Sequence, residues 1–149
     1  LYPRPPAHDR VRALLFPWYT ELSAHAAVPE VLANLKAAGP KLAVLSNASP
    51  NMLVKAVEAA GISEWFDELL SVDVLRCYKP TPVEYQLVTG RLDCKPSDVT
   101  FFSSNNWDGS GAGAFGFRTI WVNRAGAAWD KLPNSPDKIV RTIAEETKS

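Results

Sequence analysis

The strongest constraint on the fold is an alternation that repeats from Ala26 onward: a short apolar run, a polar turn and a helix with capping residues. Pro29 and Pro50 stand at first-turn positions of two such helices, and Gly39 and Gly61 follow their last apolar positions. Helices that alternate with short strands connect parallel neighbours. The pattern therefore predicts an α/β fold, with an open, Rossmann-like parallel sheet and helices on both faces.

Apolar runs and helical spacing predict where the elements lie. Strands are expected at residues 42–45, 69–72, 99–102 and 119–122, and helices at 29–38, 49–60, 81–92, 108–115 and 136–146. In the last helix, Ile139, Val140 and Ile143 are expected to face the core. Residues 1–25 have a Pro-rich start and a helical pattern over about residues 10–24. We expect them to be separate from an α/β core over residues 26–149.

Charge and cysteine content exclude several classes of partner. Sixteen Lys and Arg residues balance sixteen Asp and Glu residues, so no basic surface for nucleic acid or an anionic membrane is expected. No apolar run is long enough for a membrane helix, and the first residues do not resemble a signal peptide. Cys77 and Cys94 form neither a CxxC pair nor a disulfide framework. We expect a cytoplasmic protein with reduced thiols.

Polar residues follow three of the predicted strands. Ser46 and Asn47 follow the first strand, Lys79 and Pro80 follow the second, and segment 103–108 (SSNNWD) follows the third. Each segment alone is typical of an ordinary turn. The carboxyl ends of parallel strands meet at one edge of the sheet, where ligands bind in such folds. Together the three segments favour a site for a small anion.

In order and spacing, these segments resemble motifs two, three and four of the haloacid dehalogenase superfamily. The flanking sequence is similar to the L-2-haloacid dehalogenase branch: Leu-Ser-Asn-x-Ser-Pro at 45–50, Tyr85 six residues after Lys79, and Trp-Val-Asn-Arg-x-Gly at 121–126. The resemblance covers roughly residues 28–130. It implies the haloacid dehalogenase core fold, with residues 1–25 as the end of a helical cap and the return linker.

The resemblance implies hydrolytic dehalogenation of L-2-haloalkanoic acids to D-2-hydroxy acids through an aspartyl ester. It implies a homodimer, and a 2-haloalkanoate and halide as the small-molecule ligands. Ser46 would bind the substrate carboxylate, and Asn47 and Trp107 would hold the leaving halide. Lys79 would supply positive charge to the carboxylate and the nucleophile, which suits a compact ammonium group.

The remaining implied site residues form a supporting set for Lys79 and the hydrolytic water. Ser103, Asn105 and Asp108 would position the lysine and the water, and Tyr85 would hold the charged network. A buried carboxylate nucleophile stays ionised only beside a cation. The proposed set therefore makes chemical sense together with an aspartate.

That aspartate is not found in the expected context. Asp9, Glu21 and Glu30 are the only acidic residues before Ser46, and none lies in the Asp-x-x-Gly-Thr motif at the end of an apolar strand. The chain also begins at Leu1 rather than Met. We therefore expect the nucleophile to lie outside these 149 residues, in an incomplete chain that is inactive alone.

The fourth motif distinguishes two branches of the superfamily. Its phosphatases use two acidic residues in this loop for Mg²⁺, which prefers carboxylate oxygens, whereas this loop has Ser104-Asn105 and a single acid, Asp108. We predict no metal and no cofactor. The glycines between 109 and 116 lack the Lys-Ser/Thr of a phosphate loop and predict close helix packing. A phosphatase with a degenerate metal loop and a non-catalytic interaction module remain as alternatives.

Overall fold

The structure, a computed structural model, describes residues 21–146. In this part of the chain, four α-helices alternate with the first four of five strands, and the fifth strand follows the fourth without a helix between them. The helices are α1 (Val28–Ala38), α2 (Pro50–Ala59), α3 (Pro82–Leu92) and α4 (Asn106–Phe115). The strands are β1 (Ala43–Ser46), β2 (Glu68–Ser71), β3 (Thr100–Ser103), β4 (Arg118–Val122) and β5 (Lys138–Val140). Every strand pair is parallel, which confirms the predicted α/β class.

The strands form two ladders rather than the single ladder expected. β1 pairs with β2, and β4 lies between β3 and β5. Within residues 21–146, no backbone ladder joins β1 to β3. The side chain of Lys79 nevertheless connects the two ladders, since it reaches the carbonyl of Leu45 in β1 and the carboxylate of Asp108 beyond β3.

The ends of the helices follow local sequence. A proline occupies the first turn of α1, α2 and α3, where its missing N–H costs no helical hydrogen bond. Gly39 and Gly116 end α1 and α4 with φ angles of 100° and 106°, a left-handed conformation that glycine adopts readily. These stops fix where each chain segment turns back toward the sheets.

The main core lies where α3 and α4 meet the strands. Leu70, Val88, Ala112 and Phe117 are buried around Tyr85, which has no exposed surface. The Tyr85 ring packs edge-on against Phe117, with ring centroids 5.8 Å apart. This packing fixes the ring and therefore the position of the Tyr85 hydroxyl at its end.

The predicted final helix over residues 136–146 is wrong. Residues Lys138–Val140 form strand β5, and a short 3-10 turn follows at Ile143–Glu145. Val140 is buried whereas Ile139 is 54% exposed, so Ile139 does not face the core as expected. This alternation is the period of a strand. β-Branched residues favour strands, and the available edge of β4 gives this segment a pairing partner.

Two other expectations concern the start of the chain and membranes. The expected cap remnant at residues 1–25 lies largely outside the described residues, and residues 21–25, which are described, contain no helix.

In the described part of the chain, no helix has the length and apolar content needed to cross a membrane.

Candidate active site

A cleft lies at the carboxyl ends of β1 and β3. Its volume is about 560 Å³. Polar side chains from three loops meet there, because parallel strands deliver their following loops to the same edge. The site residues that line the cleft are Ser46, Asn47, Lys79, Asn105 and Trp107.

Lys79 provides the positive charge of the cleft. Its Nζ donates to the Leu45 carbonyl at 3.1 Å and to Asp108 Oδ2 at 2.7 Å. The Lys79 side chain is only 8% exposed, and Nζ also lies 5.6 Å from the centre of the Phe101 ring. An ammonium group has three N–H donors. Two are accounted for by these oxygens and no third acceptor is found among residues 21–146, so one N–H is available for an anion in the cleft.

Asp108 lies behind Lys79 and accepts hydrogen bonds on both carboxylate oxygens. Oδ2 accepts from Lys79 and from Ser103 Oγ at 3.1 Å, and Oδ1 accepts from the Tyr85 hydroxyl at 2.9 Å. Asp108 and Ser103 are both buried. A buried carboxylate held by three donors is suited to orienting Lys79.

Tyr85 is a fixed donor in this network. Burial, followed by the negative charge of Asp108 and the hydrogen bond to it, raises the pKa of Tyr85. The phenol therefore keeps its proton near neutral pH and donates to Asp108.

α4 approaches Tyr85 closely because Gly111 has no side chain. A Cβ at Gly111 would lie 2.5 Å from Pro80 Cβ and 2.7 Å from the Tyr85 hydroxyl. Both distances are too short for any residue other than glycine. At this position the prediction that the 109–116 glycines serve close helix packing is confirmed.

Ser46 and Asn47 present donors on the open side of the cleft. Ser46 Oγ accepts from the Ala48 amide at 3.1 Å, an arrangement in which its hydroxyl proton can point elsewhere. Asn47 Oδ1 accepts from the Lys79 amide at 3.2 Å, which leaves its side-chain N–H donors for a ligand. Trp107 is 38% exposed at the same cleft.

All eight site residues predicted from sequence are brought together, in two layers. Ser103, Asp108 and Tyr85 lie behind the cleft lining and reach it through Lys79 or Asn105. The amide of Asn105 donates to Ser103 Oγ at 3.1 Å, so the third loop is tied to the same network. The predicted roles of these residues remain predictions.

Other lining residues were not predicted from sequence. Met52, Asp73 and Tyr78 also line the cleft. The signal for Asp73 was its place two residues after the end of β2, at the same sheet edge as the three motifs. Asp73 belongs to none of the three motifs. Across residues 21–146, no three His, Cys, Asp or Glu side chains form a group that could hold a metal ion.

Comparisons with known proteins agree with the motifs. A family model described as haloacid dehalogenase-like hydrolase matches residues 8–116. An (S)-2-haloacid dehalogenase of Pseudomonas sp. (strain YL) is 42% identical over 134 residues, which are 90% of this chain and 58% of that protein. An (S)-2-haloacid dehalogenase 1 of Pseudomonas sp. (strain CBS-3) is 49% identical over 106 residues, covering 71% of this chain and 47% of the relative.

Solved structures give the same result. The L-2-haloacid dehalogenase from Xanthobacter autotrophicus with chloropropionic acid covalently bound has a TM-score of 0.81 and 30% sequence identity. That match covers 99% of this chain and 67% of the solved chain. The chain spans about half to three-fifths of the length of the curated relatives named above. Since the family model matches most of the chain, the protein belongs to the haloacid dehalogenase-like hydrolases, as its three motifs predict.

Proposed function

We propose that the protein hydrolyses the carbon–halogen bond of L-2-haloalkanoic acids and releases D-2-hydroxy acids and halide. The observation that carries the proposal is the Lys79–Asp108 ion pair of 2.7 Å, buried at the edge of a cleft lined by Ser46 and Asn47. A 2-haloalkanoate needs a fixed cation for its carboxylate and separate donors for the departing halide. The cleft offers both kinds of group.

The substrate carboxylate is held by Ser46 and Lys79. The Ser46 hydroxyl proton and the third Lys79 N–H can both point into the cleft. Two donors on one carboxylate orient the neighbouring C2 atom, and charge-assisted hydrogen bonds of this kind are the stronger ones. The ion pair with Asp108 restricts Lys79 before the substrate arrives.

The first chemical step is displacement at C2. A carboxylate oxygen of an aspartate attacks C2, the carbon–halogen bond breaks with inversion, and the halide leaves with the bonding electrons. The side-chain amide of Asn47 and the Trp107 indole are the groups placed to stabilise the departing anion. We propose that the aspartate lies outside these 149 residues. The solved relative with covalently bound chloropropionic acid supports an ester intermediate of this kind.

The second step is hydrolysis of the ester by water. Water attacks the acyl carbon of the aspartyl ester, the acyl C–O bond breaks, and the proton from water passes to the C2 oxygen. The aspartate is regenerated, and the D-2-hydroxy acid leaves with its C2–O bond intact. Asn105 lines the cleft beside Ser103, Asp108 and Lys79, so this polar cluster can position the water. The three donors to the Asp108 oxygens hold this cluster in place before the water enters.

We also propose a division of the chain, an assembly and a location. Residues 1–25 belong to a helical cap and its return linker, and residues 26–149 form the core. A homodimer is supported by the exposed apolar side chains of Val74 and Leu75, which do not line the cleft. The cytoplasm is supported by the free thiols of Cys77 and Cys94.

The test is halide release from L-2-chloropropionate by the full-length gene product. Lys79→Ala and Asp108→Ala should each lower the rate by at least about 10²-fold, since preorganised charge at a reacting centre has effects of that size. Lys131→Ala is the matched control, because Lys131 is exposed and away from the cleft lining. Unchanged halide release in both site variants would reject the proposal. Magnesium-dependent phosphomonoester hydrolysis without halide release would favour the phosphatase alternative.

A further inference from the structure

Glu84 is a buried acid that the reaction does not use. It is the third residue of α3, and its exposed fraction is 0%. The glutamate follows the Lys79 loop in sequence and precedes Tyr85, which holds Asp108. Burying a carboxylate costs free energy unless hydrogen-bond donors compensate its charge, so the surroundings of Glu84 call for an explanation.

The donors around Glu84 come from the Lys79 loop. Its Oε2 atom accepts from Thr81 Oγ1 at 2.5 Å. Its Oε1 atom is buried, and no donor among residues 21–146 meets hydrogen-bond geometry with it. The Cys77 thiol, a weak S–H donor, also interacts with the Glu84 carboxylate. Burial raises the pKa of Glu84, but the hydrogen bonds to Cys77 and Thr81 lower it by more than burial raises it. The pKa therefore lies below the usual value for glutamate, and the side chain stays ionised.

The same contact affects the cysteine. Its hydrogen bond to Glu84, followed by burial, raises the pKa of the Cys77 thiol. The proton therefore stays on sulfur, and the thiol remains a donor to the carboxylate.

These two contacts lie on either side of Lys79. Cys77 comes two residues before the lysine and Thr81 two residues after it, with the cis Lys79–Pro80 bond between them. Glu84 thus holds both flanks of the segment, while its neighbour Tyr85 holds the carboxylate that pairs with Lys79. Adjacent residues of α3 fix the two partners of one ion pair.

A helix cap alone does not account for this arrangement. A glutamate at the third position of a helix commonly accepts from the residue that precedes the helix. That role needs only Thr81 and is available to an exposed side chain. It does not require a fully buried carboxylate or the contact to Cys77.

We propose that Glu84 is a positioning residue: by holding Cys77 and Thr81, its carboxylate sets the placement of Lys79 against Asp108. The proposal rests on the proposed function for its effect on catalysis. The placement of Lys79 itself can be measured without any activity.

The first experiment measures acetylation of individual lysines by acetic anhydride, followed by mass spectrometry, on the folded protein. In the wild type, Lys79 should react slowly because it is buried and paired. Glu84→Gln should accelerate acetylation of Lys79 at least fivefold, whereas the exposed Lys131 in the same sample should not change. Alkylation of Cys77 should also accelerate relative to Cys94.

Two controls separate positioning from general loss of stability. Val57→Ala removes a buried side chain from α2, which is distant in sequence from Lys79. This variant should lower the melting temperature without accelerating Lys79 acetylation. Glu58→Gln changes an exposed glutamate and should leave both readouts unchanged. If Val57→Ala accelerates Lys79 acetylation as much as Glu84→Gln does, Glu84 is only structural and the proposal is overturned.

A second pair of variants covers the case in which Glu84→Gln does not fold. Thr81→Val removes the hydroxyl that donates to Glu84, and Thr81→Ser restores it. Thr81→Val should accelerate Lys79 acetylation about twofold, and Thr81→Ser should return it to the wild-type rate. Equal rates in the two variants would overturn the proposal.

Activity gives the last readout. In the full-length gene product, Glu84→Gln should lower kcat for halide release about tenfold with KM changed less than twofold. A wild-type protein without dehalogenase activity would reject the proposed function, yet the acetylation result would still decide the role of Glu84. Normal halide release in Glu84→Gln together with unchanged Lys79 acetylation would reject the positioning role alone.

Discussion

The site has two halves that differ in how completely their hydrogen bonds are made. In the buried half, Lys79, Asp108, Tyr85 and Ser103 form a network in which both Asp108 oxygens are occupied. In the open half, Ser46 and Asn47 line a cleft and keep donors that no group among residues 21–146 takes up.

This difference separates stability from ligand binding. When one member of a fully paired buried network is removed, an uncompensated charge or an unsatisfied oxygen is left buried. The members of such a network therefore contribute to folding stability. Side chains at the cleft exchange water for a ligand, so their removal changes binding far more than folding. Substitutions in the two halves should therefore have separable effects on unfolding and on halide release.

The largest effect on folding should come from removing one partner of the Lys79–Asp108 ion pair. Asp108→Ala leaves the Lys79 ammonium buried without its carboxylate and should lower the free energy of unfolding by about 3–5 kcal/mol. The measurement is urea denaturation followed by tryptophan fluorescence.

The matched control for that variant is Glu58→Ala, in which the removed carboxylate is exposed. It should change stability by less than about 0.5 kcal/mol. A loss in Asp108→Ala no larger than in this control would show that the network does not contribute to folding.

The next largest effect should come from the phenol. Tyr85→Phe removes the donor to Asp108 Oδ1 and should lower the free energy of unfolding by about 1–3 kcal/mol at pH 7. Because burial raises the pKa of Tyr85 above that of the unfolded chain, its stabilisation is complete below about pH 10 and declines above it. The difference between wild type and Tyr85→Phe should therefore shrink as the pH rises past 10. A constant difference from pH 7 to pH 10.5 would contradict this account.

Short-range patterns predict much of this fold. The proline and glycine signals around α1 mark its ends correctly because these residues act through their own φ angles. The segment at residues 136–146 fails for the opposite reason. Its apolar spacing fits a helix as well as a strand, and the choice depends on pairing with β4, a contact far along the chain.

The site shows the same difference between features that follow from local sequence and features that depend on tertiary contacts. Ser46, Lys79 and the 103–108 loop can be predicted because each follows a strand and carries a motif. Glu84 has no such motif, and its sequence context is that of an ordinary helix start. Its importance depends on complete burial, which requires the packed positions of α3 and the Lys79 loop.

In the open half, Asn47→Ala should have a smaller effect on folding. It removes one hydrogen bond to the Lys79 amide and should lower the free energy of unfolding by about 0.5–1.5 kcal/mol. Halide release should fall much further, by about 10²-fold, because in the proposed function the Asn47 amide donors stabilise the departing anion. Thermal unfolding and an assay for released chloride, run on the same preparation, give both values. A stability loss as large as that of Asp108→Ala would remove the distinction between the halves.

The smallest effect should follow removal of divalent metals. Mg²⁺ sites draw on several carboxylate oxygens, and here the one acid of the fourth loop, Asp108, already has its oxygens taken by Lys79, Ser103 and Tyr85. Lys79 places a positive charge 2.7 Å from that carboxylate, where a divalent cation would be repelled. Dialysis against EDTA should therefore leave halide release and the melting temperature unchanged. Loss of activity with EDTA, restored by Mg²⁺, would mean that a cation displaces Lys79 from Asp108 and that the buried half of the site rearranges in the active protein.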